Sequence, residues 1–233
     1  MDSEDYQTNF HENRRMKMDA VKIVNKINKE HGTIKNVYFL ACGGSLVDLY
    51  PGYYFVRAES AVMDAQWIPA REFALTPPKK LGKDSLLIIC SHSGKTKECL
   101  EAAKVGMNAG AAVVTMTHAP GSACDTDEWI SIVYDWAPGV KEAEKPQGIV
   151  LRILNELMKI QEPGYVLYDK IAEGFDKIDE IIAAAVKDQH GFLQKNIQRN
   201  RTFISWHPEP PILRHMALRS AHFRKCSGWT AVI

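Results

Sequence analysis

The chain has 233 residues, enough for one full α/β domain with its own core and a remainder too short for a second of equal size. Apolar residues make up 45% and charged residues 24%, with 29 basic side chains against 28 acidic ones, the profile of an ordinary soluble globular protein. This balance offers no basic face for nucleic acid or an anionic membrane. No apolar run reaches the roughly 18 residues needed to cross a bilayer, and the polar start lacks a secretory signal, so a cytoplasmic location is expected.

In chain order, the apolar spacing of residues 16–30 predicts an amphipathic helix. Val37-Tyr38-Phe39-Leu40-Ala41 is a continuous apolar run that ends in Cys42-Gly43-Gly44-Ser45, which reads as a strand buried on both faces and closed by a turn. Helical spacing follows from Leu46 to Val56, and Pro51 requires that helix to end early, start late or kink. Leu86-Leu87-Ile88-Ile89-Cys90 repeats the buried strand, and Ser91-His92-Ser93-Gly94-Lys95-Thr96 leads into a helix predicted to end at Gly110. Further strands are expected at Ala111 to Thr115 and Ile130 to Tyr134, and helices at about 148–160 and 168–190. Ile171, Phe175, Ile178, Ile182 and Ala185 hold one face of the last helix. The grammar is that of an α/β, doubly wound parallel sheet flanked by helices, a flavodoxin-like three-layer sandwich.

Cysteines stand at 42, 90, 99, 124 and 226, an odd number with no zinc-like spacing. Cys42 and Cys90, at the ends of predicted strands, and Cys99, in a predicted helix, are read as small buried apolar residues, and no metal or organic cofactor is implied.

Ligands of open parallel sheets bind beyond the carboxyl ends of the strands, which singles out the two turns. Ser91, Ser93 and Thr96 offer three hydroxyls, Gly94 allows close backbone approach, and the following helix start adds free N–H groups and a partial positive charge. Such a loop suits a phosphate monoester dianion, although a serine or threonine at a helix start is more often a simple cap. Ile89 stands where a Walker loop needs its first glycine, and Cys42-Gly43-Gly44-Ser45 lacks a dinucleotide fingerprint. Glu72, Lys95 and His118 are further candidates, for which a surface, solvated or ordinary loop role competes.

These residues resemble the sugar isomerase, or SIS, domain family. The 41–45 segment looks like its first sugar-contacting turn and Ser91 to Thr96 like its SxSGxT phosphate loop. Gln66-Trp67-Ile68-Pro69-Ala70-Arg71-Glu72-Phe73 resembles the segment that follows the family's second strand. The resemblance implies that Ser91, Ser93 and Thr96 hold the phosphate of a phosphosugar, helped by the His92 backbone, while Gly43, Gly44 and Ser45 face the sugar. Within the family the chain is most similar to the fructosamine and glucosyl-amine 6-phosphate deglycases, which carry two such domains. Their implied chemistry is ring opening and proton shuttling by a glutamate and a histidine supplied mainly by the second domain. The resemblance also leaves a homo-oligomer open, and the alternative function is a non-catalytic phosphosugar-binding module or an inactive gene remnant.

The expected organisation is an N-terminal helical segment at 1–35, the SIS domain at 36–160, connecting helices at 161–200 and an aberrant tail at 201–233. In the tail, Pro208, Pro210 and Pro211 follow a strand-like Thr202-Phe203-Ile204, and no glycine occurs before Gly228. Read in a shifted frame from permitted codons, the tail can yield a strand, a small-residue turn and an apolar helix, so a frameshift near residue 204 is expected, against the alternative of a natural basic, irregular arm.

Overall fold

A computed structural model describes residues 19–199, with side chains through residue 187. The chain divides into two compact units between Ala172 and Glu173. The expectations for the tail, including its strand and the frameshift, lie outside the described residues, as does Cys226.

The first unit is built on α1 (Ala20–His31), which starts where the Asp19 carboxylate accepts the Lys22 N–H and buries Ile23, Val24 and Ile27. Three strands, β1 (Asn36–Ala41), β3 (Ser85–Cys90) and β4 (Ala112–Thr117), are buried along their whole length. With β2 (Asp64–Pro69) and β5 (Ile130–Val133) they form a five-stranded, all-parallel sheet in the order β2-β1-β3-β4-β5. Side chains alternate across it. Val37, Phe39, Leu86, Ile88 and Val114 pack with α1, α3 (Tyr50–Glu59) and α6 (Pro146–Gln161). On the other face Tyr38, Leu40, Leu87, Ile89 and Val113 pack with α4 (Ala70–Leu75) and α5 (Lys97–Asn108). Both faces are covered, which is why these strands read as unbroken apolar runs rather than as alternation. Each fully buried large side chain contributes about 1.5–3 kcal/mol.

Three expectations change. The sequence reading found four strands and missed β2, an edge strand with exposed ends and half-buried middle residues, so it lacks a continuous apolar run. In consequence Gln66–Pro69 belong to the second strand itself, and only the 70–73 part follows it as a helix. The 46–56 helix is two helices, α2 (Gly44–Asp48) and α3, because Pro51 occupies the first turn of α3, where its missing N–H costs nothing. The last helix, α7 (Tyr168–Arg199), runs beyond 190 and crosses from the first unit into the second.

Candidate functional site

The two loops singled out in the sequence are brought together by strand pairing. In the parallel register of β1 and β3, Ala41 stands opposite Cys90, so the 42–45 turn and the 91–96 loop leave the sheet side by side at its carboxyl edge. Here the strand order reverses, since β2 lies to one side of β1 while β3, β4 and β5 lie to the other. A cleft for ligands opens at such a point.

In the first turn Gly43 adopts a φ of 60°, which caps α2 and turns the chain. Gly43 and Gly44 are exposed and Ser45 is half-buried. Trp67 of the edge strand donates its indole N–H to the Leu46 carbonyl and braces the turn from behind.

The second loop is more constrained. Ser91 is only 2% exposed and donates its hydroxyl hydrogen to Thr96 Oγ1 at 2.8 Å. It therefore braces Thr96, leaving the Thr96 hydroxyl hydrogen free to donate elsewhere. Thr96 is the N-cap residue of α5 and makes no side-chain cap bond, so capping does not account for this threonine. Ser93 is exposed. The His92 carbonyl accepts from the His118 N–H at 3.1 Å and from Thr117 Oγ1 at 3.3 Å, which ties the loop to the end of β4. The N–H groups of His92 and Ser93 make no hydrogen bond within the described protein, and they join the free N–H groups of the first turn of α5.

Gly94 is the pivot of the loop, with a φ of 63°. A Cβ there would stand 1.8 Å from Ser122 Oγ, 2.5 Å from Ser122 Cβ and 2.7 Å from Thr117 Oγ1. The 119–125 loop after β4 is thus seated against the phosphate-loop candidate, and the Cys124 N–H donates to the Gly94 carbonyl at 3.1 Å. Ser122 Oγ is buried without a hydrogen-bond partner.

Behind both loops lies a polar cluster in which His92 and His118 are joined by Tyr134, Trp136, Cys90 and Asp48, none of them a candidate from the sequence. Cys90, at the end of β3, is fully buried, and that burial pushes its thiol up to about 12. The Tyr134 hydroxyl meets His92 Nδ1 at 3.0 Å, and burial raises its phenol well above the usual range. The His92 ring stacks on His118 at 4.9 Å and meets the edge of Trp136 at 5.7 Å. His118 Nδ1–H donates to the Tyr134 carbonyl. Asp48, at the end of α2, accepts from Gln147 Nε2 at 2.7 Å, and burial pushes its carboxyl up to about 6. Local sequence carries no signal for these contacts, because α2, α6 and the segments at the ends of β3, β4 and β5 each bring a part.

Among the other candidates, Glu72 and Lys95 have exposed side chains, while His118 is half-buried in the stack. Cys90, Cys99 and Cys124 are buried free thiols and Cys42 is half-buried. Among the described residues no group of three or more His, Cys, Asp or Glu is arranged to hold a metal, and no helix is long and apolar enough to cross a membrane.

The sheet, its flanking helices and the paired loops define a sugar isomerase (SIS) domain, and solved structures agree. A candidate phosphosugar isomerase from Salmonella typhimurium superposes with a TM-score of 0.68 at 30% identity, over 78% of this chain and 53% of that one. Another from Bacillus subtilis gives 0.65 at 30% identity, over 73% and 53%. More particularly, the chain is homologous to fructosamine deglycase FrlB of Bacillus subtilis, 31% identical over 157 residues, which are 67% of this chain and 48% of the deglycase. It is also 31% identical over 126 residues to the isomerizing glutamine–fructose-6-phosphate aminotransferase of Clostridium tetani, covering 52% of this chain and 19% of that enzyme. The chain thus spans about half the length of the deglycase. No protein-family model matches it.

Proposed function

We propose that this domain binds a phosphorylated sugar in the cleft between the 42–45 turn and the 91–96 loop. The observation that carries the reading is the β1/β3 register, which sets a glycine-rich turn and a hydroxyl-rich loop next to each other where the strand order reverses. The phosphate lies on the Ser93 and Thr96 hydroxyls, with Ser91 fixing Thr96. The free N–H groups of His92, Ser93 and the α5 start complete a cradle of donors for a dianion. Gly43, Gly44 and Ser45 face the sugar. Homology to a fructosamine deglycase and to an isomerizing sugar-phosphate aminotransferase supports a 6-phosphorylated ketose or its amine conjugate as the ligand class.

Thermal melts with fructose 6-phosphate and glucosamine 6-phosphate test this, with unphosphorylated fructose as control. A ligand at about 100 times its Kd adds about 2.7 kcal/mol, roughly 5–10 °C for a protein of this size. Ser93→Ala and Thr96→Ala are expected to reduce the shift. No shift with either sugar phosphate, or a shift that both variants retain, overturns the proposal. Turnover of a 6-phosphofructosyl amino acid by this chain alone would extend it from binding to deglycase activity.

A further inference from the structure

We infer that the His92 imidazole is itself a contact for the ligand's phosphate and takes up a proton when the dianion binds. This rests on the phosphosugar reading of the loop and adds a side chain to it, where so far only the His92 backbone was assigned.

The geometry of the ring carries the inference. His92 belongs to the loop, yet its ring is held from three sides, by the stack on His118, the edge of Trp136 and the Tyr134 hydroxyl at Nδ1. Its Nε2 makes no hydrogen bond within the described protein, and the residue as a whole is exposed. A histidine used only for packing needs no hydroxyl aimed at Nδ1. In the tautomer in which Tyr134 donates to Nδ1, the neutral ring carries its hydrogen on Nε2, the free nitrogen of a residue whose own N–H is one of the cradle donors.

The same contact can accommodate a second proton on the ring. When a proton from solvent adds to Nδ1, the Nδ1–H donates to the Tyr134 oxygen. The Tyr134 hydroxyl hydrogen turns away from the ring. No covalent bond other than N–H changes, and the ring gains one positive charge next to the dianion.

The charged and titratable groups around the ring act in a consistent direction. In the unliganded protein, burial and then the neighbouring His118 lower the His92 pKa, so the ring is neutral near pH 7. Tyr134 and Cys90 are held neutral by burial. Asp48 acts on both from the far side of the cluster, and Lys145 lies 5.5 Å over Trp136. Lys95 is exposed on the same loop. The bound dianion is the one new negative charge, and it reverses the balance.

Isothermal titration of the whole chain with fructose 6-phosphate at pH 7, in two buffers of different ionisation enthalpy, reads the proton directly. The wild type is expected to take up about half a proton per ligand. His92→Gln is expected to bind roughly three- to tenfold more weakly with uptake near zero, while His118→Gln retains the uptake. Binding without uptake in the wild type, or uptake that survives in His92→Gln, overturns the inference and leaves the phosphosugar reading intact. No binding by the wild type overturns both. Should His92→Gln bind too weakly to measure, NMR titration of the wild-type His92 ring decides. A midpoint raised by about one pH unit in the complex supports the contact, and an unchanged midpoint refutes it.

Discussion

Replacing Gly94 by alanine probes the seating of the phosphate-loop candidate more sharply than any other single change. Two costs combine. The left-handed φ of 63° costs a side chain about 1–2 kcal/mol. The new Cβ also meets Ser122 Oγ at 1.8 Å and Ser122 Cβ at 2.5 Å, and the second contact cannot be relieved by rotating the serine. Overpacking of this kind adds about 1–3 kcal/mol. Gly94→Ala should therefore cost about 2–5 kcal/mol, a fall in Tm of roughly 5–15 °C. Gly121→Ala is the internal control, since φ is 70° there but nothing lies within 4 Å of the added Cβ, so only the conformational cost of about 1–2 kcal/mol applies. In a double-mutant cycle, Ser122→Gly should recover about 1–2 kcal/mol of the Gly94→Ala loss. Equal effects of Gly94→Ala and Gly121→Ala, with no coupling between residues 94 and 122, would refute the packing of the 119–125 loop on the phosphate-loop candidate.

Asp48 should make stability depend on pH. Its folded carboxyl is raised from 3.8 to about 6, so between those values the native state holds a proton that the unfolded chain has lost. Stability therefore falls as pH rises through that window, by up to about 3 kcal/mol, with the bond from Gln147 working against the rise. Urea melts should show Asp48→Asn gaining on the wild type from pH 4 to pH 7, and parallel curves would contradict this. Gly52→Ala places a Cβ 2.2 Å from Val150 Cγ1 where α3 crosses α6, and should cost about 1–3 kcal/mol in denaturant melts. Ser91→Ala removes a buried hydrogen bond and should lower both stability, by about 1 kcal/mol, and affinity. By contrast, Ser93→Ala, at an exposed site, should lower affinity alone, as calorimetry and melts together can show.

The parts of the fold legible in the sequence share one physical property, burial on both faces. β1, β3 and β4 are unbroken apolar runs because helices cover both sides of them, and the glycine-rich and hydroxyl-rich turns stand at their ends. The edge strand β2 carries Asp64, Gln66 and Pro69 because its environment is half solvent, and it left no such signature. At the candidate site, the spacing of Ser91, Ser93, Gly94 and Thr96 marked the loop. What the spacing could not convey is that Ser91 turns inward, that Ser122 fills the space a Cβ at 94 would need, or that Tyr134 reaches His92 from β5. The last two are contacts between segments about 30 to 40 residues apart in the chain, fixed by strand order rather than by local pattern.

The location of the ligand tests the central claim most directly. Backbone amide NMR during a titration with fructose 6-phosphate should show the largest shifts in Gly43 to Ser45 and in Ser91 to Thr96, on the two sides of the β1/β3 switch point. Shifts concentrated at the opposite edge of the sheet, around the polar groove of Lys35, Ser60 to Asp64 and Asp84, would contradict it, as would a spectrum left unchanged by the ligand.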